Sequence, residues 1–229
     1  MAQSSIKIGV AGALGRMGRT VAAIADARAG MSLTALFDRP GMEGQVVCGL
    51  ALDTRAAALP ACDVIIDFTI GSASADLARA CAARGGPALV IGSTAFTESD
   101  EAAVSEAARH IAIVKSGNFS LGVNVLLALV RHAARVLDAQ DFDIEVYEAH
   151  HRRKVDAPSG TALMLGQAAA EGRNGDLKAL QAPPRDGLTG AREAGAIGFS
   201  VARGGGIVGE HSVMFAGEEE ILTLSHSAR

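Results

Sequence analysis

The run His150-His151-Arg152-Arg153-Lys154-Val155-Asp156-Ala157-Pro158-Ser159-Gly160-Thr161-Ala162 packs two imidazoles and three cations into five residues, then turns through Asp-Ala-Pro-Ser-Gly into a helical pattern. A purely solvated face has no need of that turn, and a buried core does not tolerate the cations. Histidine and lysine can pass protons, and free backbone N–H groups at Gly160 and Thr161 can hold a carboxylate at a helix start. The types and their order suit an anionic substrate that must gain a proton. The plainer alternative is a basic surface loop capped by Ser159. A metallohydrolase built on Glu148, His150 and His151 is a poorer reading. Adjacent histidines in an extended segment point to opposite sides, unlike a helical H-E-x-x-H site, so no metal is expected.

A second constellation lies near the start of the chain. Gly12-Ala13-Leu14-Gly15-Arg16-Met17-Gly18 departs from G-x-G-x-x-G because Leu14 stands where the second glycine would be. It nevertheless follows an apolar strand pattern and opens a helix, where free N–H groups can receive a pyrophosphate. Asp38, at the end of the next strand, stands where an acid would accept hydrogen bonds from an adenosine ribose. Arg39 beside it could instead stack on adenine or hold a 2′-phosphate. Three further loops, Asp67-Phe68-Thr69, Gly92-Ser93-Thr94 and Ser116-Gly117-Asn118-Phe119, each follow the carboxyl end of a strand pattern. That edge of an open parallel sheet is where ligands bind.

The elements that must position these residues read as two regions. Apolar runs at 6–11, 33–37, 63–68, 88–91 and 111–114 alternate with helical stretches that begin near 18, 72 and 98. This is the pattern of a doubly wound parallel sheet of Rossmann type. Residues 41–59 read as irregular. After about 118 the texture changes. A long helix (119–138) leads to a strand at 143–147, the His/Lys loop, and a helix from Thr161 to about Ala170. A polar loop (171–193) then precedes strands at 197–203, 207–215 and 221–226, separated by glycines that suggest antiparallel hairpins. The expected architecture is α/β: residues 1–118 a dinucleotide-binding domain, 119–229 an α+β substrate-binding and oligomerisation domain with a mixed or antiparallel sheet.

Composition narrows the function classes. Aromatics are 3% against 49% hydrophobic residues, so the core must be built from Ala, Val, Leu and Ile. A net charge of −4 argues against general affinity for nucleic acid or anionic membrane, which makes the positive charge at 150–154 a local device. No apolar run is long enough to span a bilayer. Three cysteines without metal or redox spacing, and an N-terminus without a signal-peptide pattern, fit a cytoplasmic protein.

With its flanks, Glu145-Val146-Tyr147-Glu148-Ala149-His150-His151 through Ala162 resembles the signature of the dihydrodipicolinate reductases, enzymes of diaminopimelate and lysine biosynthesis. Asn118-Phe119-Ser120-Leu121-Gly122-Val123-Asn124 and the Gly12–Gly18 run resemble that family's other two signatures, in the same order, and the similarity extends from about Ile6 to His226. The resemblance implies NADH or NADPH as donor, a cyclic unsaturated dicarboxylate as substrate, tetrahydrodipicolinate as product, and homotetramers. It also implies His150 and Lys154 as proton donors, His151 as a substrate ligand, and Gly160 with Thr161 as the carboxylate cradle. Residues 12–17, Asp38 and Arg39, Gly92 to Thr94 and Ser116 to Phe119 would contact the cofactor, with Ala95 where a glycine is expected. Either His150 or Lys154 could give the proton. Arg203 and His211 are weaker site candidates, expected to be structural. Family members usually continue past the final strand, so the chain is expected to stop short of their length at Arg229. Two rivals are another Rossmann-type amino-acid dehydrogenase, disfavoured by the His-His…Lys…Ser-Gly-Thr run, and an NAD(H)-binding redox sensor. The acidic charge and the lack of a DNA-reading module count against the sensor.

Overall fold

The structure is a computed structural model that describes residues 5–229. The chain divides into two compact units, Met1–Gly117 and Asn118–Arg229. In the first, β1 (Ile6–Ala11), α1 (Arg16–Ala27), β2 (Met31–Phe37), a short hairpin of β3 (Val46–Val47) and β4 (Leu50–Ala51), and α2 (Arg55–Ala58) come before β5 (Val64–Asp67). Then follow α3 (Gly71–Ala82), β6 (Ala88–Ile91), α4 (Glu98–Ala107) and β7 (Ile113–Lys115). The five long strands form one sheet in the order β2-β1-β5-β6-β7, every pair parallel.

Side-chain parity explains why this sheet is apolar on both faces. Ile8, Val10 and Leu36 join Ala22 and Ala25 of α1 in one cluster. Ala11, Phe37, Ile65, Leu89 and Ile91 join Ala75, Leu77, Ala78 and Val104 of α3 and α4 in another. Alternate residues of a strand face opposite sides, so a continuous aliphatic run feeds two helical layers at once. The small alanines let the helices lie close, as a core nearly free of aromatics requires.

The second unit contains α5 (Leu121–Val136), β8 (Asp143–His150), α6 (Gly160–Gly172), α7 (Leu177–Leu180), β9 (Ile197–Arg203), β10 (Glu210–Ala216) and β11 (Ile221–Ser227). Its sheet runs β11-β10-β8-β9, with β8 parallel to β9 and antiparallel to β10. Ile144, Val146, Ile197, Val213 and Phe215 pack on Leu126, Val130 and Leu165 of α5 and α6. The alternate positions, among them Tyr147, Ser200 and Thr223, face the other way and are exposed.

Three expectations need correction. The strand after the glycine triplet 204–206 does not form a hairpin with the one before it. β9 and β10 lie on opposite sides of β8, so the main-chain groups of β8 are paired along both of its edges. Only β10 and β11 make the expected antiparallel pair. Residues 41–59 are not wholly irregular either: they hold the β3–β4 hairpin and α2, which is capped by the Thr54 hydroxyl. Within 171–193, α7 supplies one ordered turn.

Candidate active site

At the carboxyl edge of the first sheet the ligand surface is made of main chain. Helix α1 starts at Gly15 with no side-chain cap and no acidic residue in its first turn, so its leading N–H groups lack a side-chain acceptor. Gly12 has φ of +72°, and a Cβ on Gly18 would lie 2.0 Å from the Gly12 carbonyl oxygen, so a side chain at either position would deform the loop. Leu14, which interrupts the usual glycine pattern, donates its N–H to Asp38 Oδ2 at 3.0 Å, and Arg39 N–H donates to Oδ1 at 2.8 Å. The acid thus braces the turn from the end of β2. Asp67 is fully buried at the end of β5. Its Oδ1 accepts from the Thr69 N–H and hydroxyl, while Oδ2 has no partner. Gly92 lies under the Phe68 ring, and Ser93 meets Ser74 at 2.6 Å. Uncapped N–H groups, glycines that let main chain approach, and an orphaned carboxylate oxygen are a fit for a dinucleotide with a carboxamide end.

The second unit holds a cavity of about 540 Å³ lined by Asn118, Ser120, His150, Thr161, Gly209, His211 and His226. His150 ends β8, and Thr161 lies in the first turn of α6, whose N-cap Ser159 accepts from the Ala162 N–H. That cap leaves the Gly160 and Thr161 N–H groups free for a ligand, and open space stands where a Gly160 side chain would be. Asn118 donates from Nδ2 to the Thr161 hydroxyl at 3.0 Å, and its Oδ1 accepts the Ser120 N–H.

Behind the cavity lies a buried ionic network. Glu148 is fully buried and accepts both guanidinium nitrogens of Arg203 at 2.8 Å, the Ser159 N–H at 3.0 Å, and a bond from His150 Nδ1 at 2.5 Å. Burial pushes the Glu148 carboxyl upward, but Arg203, His150 and the Ser159 N–H outweigh it and hold the group below the usual range. Arg203 is raised further by the same pairing. His211 is buried, 3.1 Å from the Ser159 hydroxyl and edge-on to His150 with ring centroids 5.1 Å apart. Burial, then the neighbouring His150, push His211 down to about 4, so it is neutral at pH 7.

The structure brings His150 and Thr161 to one cavity. Gly160 lies beside them. Lys154 is tied to Asp156 at 2.8 Å in the adjoining loop, and Asp156 is held ionised by that lysine against the cost of burial. His151 is not among the cavity's lining residues, but its Nδ1 is buried with no protein partner. Ser116 and Gly117 belong to the first unit, Asn118 and Phe119 to the second. Arg203 has its expected salt bridge; His211 has none and lines the cavity instead. Glu148 as an anchor, with His226 and Ser120, went unread. One signal was present: Glu148 and His150 are two apart in a strand and so share a face. Glu148, His150 and His211 have ligand atoms within 4.8 Å of one another. Both Glu148 oxygens are already occupied by the guanidinium, so the set suits proton transfer better than an ion.

A doubly wound nucleotide-type unit followed by a mixed-sheet unit with a histidine-lined cavity fits a two-domain oxidoreductase. The chain belongs to the dihydrodipicolinate reductase family: the family's N-terminal description matches residues 6–119 and its C-terminal description residues 122–229. It is 58% identical over 223 residues to the 4-hydroxy-tetrahydrodipicolinate reductase of Caulobacter vibrioides, covering 97% of this chain and 85% of that protein. The enzyme of the same name from Parvibaculum lavamentivorans is 49% identical over 242 residues, covering 98% and 87%. The solved dipicolinate-bound dihydrodipicolinate reductase of Paenisporosarcina sp. TG-14 shares the fold, with a TM-score of 0.70, 24% identity, and coverage of 98% and 88%. No helix among the described residues is long and apolar enough to cross a membrane.

Proposed function

We propose that this chain reduces a cyclic dihydrodipicolinate-type dicarboxylate to tetrahydrodipicolinate at the expense of NADH or NADPH, a step toward diaminopimelate and lysine. The observation that carries this reading is the joint presence in one cavity of His150 and of Thr161 from the first turn of α6. A carboxylate accepts the Gly160 and Thr161 N–H groups and the Thr161 hydroxyl, which Asn118 orients. The family resemblance makes His151, whose buried Nδ1 has no protein partner, a further ligand of the dicarboxylate. A bound reduced nicotinamide supplies the two electrons. The chain's own task is then to deliver a proton to the enamine that results, from His150 or Lys154, while nearby positive charge stabilises the developing anion.

The α1 start in the first unit, residues 12–17, would hold the pyrophosphate, with Gly92 to Thr94, Ser116 and Gly117 of the same unit and Asn118 and Phe119 of the second as further cofactor contacts. Asp38 suits the unmodified ribose and the exposed Arg39 a 2′-phosphate, so we expect no more than about tenfold preference between the two nucleotides. The uncovered sheet face around Tyr147, Ser200 and Thr223 supports a homotetramer built through the second unit. Free thiols at Cys48, Cys62 and Cys81, two of them buried, support a reducing, cytoplasmic setting. The test is loss of NADH and NADPH absorbance in the presence of the freshly formed condensation product of pyruvate and aspartate semialdehyde. Oxidation that needs both precursors is expected; none with either nucleotide would remove the reading.

A further inference from the structure

We propose that Glu148, clamped by Arg203 and the Ser159 main chain, is a positioning residue that fixes His150 in the Nδ1–H form and leaves Nε2 as its single proton-exchanging nitrogen. The inference deepens the proposed reductase reading, because it rests on His150 as a proton carrier.

Three observations converge on it. The contact from His150 Nδ1 to Glu148 Oε2 is 2.5 Å, and the carboxylate is also the acceptor of two guanidinium N–H bonds and one main-chain N–H. An ionised carboxylate has no proton to give, so the proton in that contact sits on Nδ1 in every state of the ring. Second, Glu148 cannot turn away. It is fully buried, and its clamp Arg203 is itself anchored by the carbonyls of Ala202 at 2.7 Å and Asp156 at 2.6 Å. Third, Nε2 faces Gly209, which lines the same cavity: a Cβ there would stand 3.1 Å from it, a crowding that glycine avoids. His211 braces the ring from the edge. It is neutral through burial, so it adds no second positive charge. Further ionisable groups near this pair are His226 and Arg229, which line the same cavity, and Lys154, which is engaged with Asp156.

The step balances without another reactant. The imidazolium passes its Nε2 proton to the reduced ring of the substrate and remains a neutral ring with Nδ1–H. Glu148 stays a carboxylate throughout and solvent restores the Nε2 proton. This differs from a stability role for the Glu148–Arg203 pair, since a buried ion pair of this kind need add little to stability.

The experiment uses full-length protein labelled with ¹⁵N at histidine, with His150 assigned by the signals missing in His150→Gln. Wild type should show the neutral His150 ring as Nδ1–H. Glu148→Gln keeps the volume and one oxygen, at the Oε1 position, for Arg203 Nη2 and the Ser159 N–H, and places an amide N–H at the Oε2 position toward Nδ1, so the neutral ring should switch to Nε2–H. The kcat of that variant should fall by about 10²-fold, with KM and nucleotide Kd within about threefold. Glu148→Asp should retain the Nδ1–H form. A wild-type ring in the Nε2–H form overturns the proposal even if the variant does not fold. An unchanged tautomer or unchanged kcat in a folded Glu148→Gln overturns it as well. If instead His150→Gln turns over at the wild-type rate while wild type shows Nδ1–H, the proton role of His150 fails and the positioning geometry stands.

Discussion

The two units build their candidate ligand surfaces from opposite materials. In the first, the edge of the parallel sheet is main chain: an uncapped helix start, glycines that admit close approach, and a carboxylate that braces the loop through Leu14. In the second, the cavity is side chain: an imidazole, a hydroxyl and an amide, backed by a buried glutamate with a bidentate arginine. The first kind of surface is shaped to a phosphate-linked ligand and should fail when a methyl group is added. The second is set by protonation and charge and should fail when a titrating group is removed. Recognition and proton chemistry are thereby placed in different physical terms.

The largest effect should come from the charged loop. Lys154→Ala is expected to lower kcat by roughly 10²-fold or more, some 3 kcal/mol of transition-state stabilisation, with nucleotide affinity nearly intact. Steady-state rates and nucleotide binding on the same preparation check this. A comparable loss of nucleotide affinity would erase the division between the units.

His211 gives a pH signature to the second unit alone. Its folded-state pKa is held near 4 by burial, below its ordinary 6.5, so the unfolded chain takes up a proton first as the pH falls. The stability it contributes is complete above about pH 6.5, declines through the interval down to about 4, and is absent below that. Its size is about 3 kcal/mol. Urea unfolding between these limits should show the slope in wild type and lose it in His211→Asn. Glu148, held low, contributes in the same direction but only at more acidic pH. An identical slope in the variant would assign it elsewhere.

Smaller effects should separate ground-state contacts from proton transfer. Thr161→Val and His151→Ala are expected to raise substrate KM by about tenfold, with a smaller change in kcat, and to weaken competitive inhibition by pyridine-2,6-dicarboxylate in parallel. Unchanged inhibition points to another anion site. Asp38→Ala should weaken NADH a fewfold more than NADPH, a difference of about 1 kcal/mol. Because Asp38 also accepts the Leu14 N–H, both nucleotides should suffer, and an effect on neither would detach this acid from the cofactor.

The same contrast explains what was legible in the sequence. Main-chain surfaces announce themselves locally: Gly12, Gly15 and Gly18 stand together, and the alternation of aliphatic runs and helices gave the parallel sheet. The His150–Thr161 run was equally local. What stayed hidden was long-range. Arg203 reaches Glu148 across 55 residues and His211 reaches Ser159 across 52, and no spacing rule links residues that meet only when β8 is flanked by β9 and β10. The absence of a β9–β10 hairpin has the same root. Glycines at 204–206 signal a reversal, but β8 as the shared partner is a property of the whole sheet. Ala95 shows a local departure with a physical mark, since it adopts φ of +60°, a conformation that favours the glycine expected there.

The division of labour is tested most directly by measuring kcat at saturating nucleotide and nucleotide Kd side by side in His150→Gln and Gly18→Ala. The account predicts that His150→Gln loses about 10²-fold in kcat with Kd within about twofold. It predicts that Gly18→Ala, whose Cβ would overlap the Gly12 carbonyl, weakens nucleotide binding by about tenfold or more while kcat at saturation stays within about threefold. Weakened nucleotide binding in His150→Gln, or lost kcat at saturation in Gly18→Ala, would contradict it.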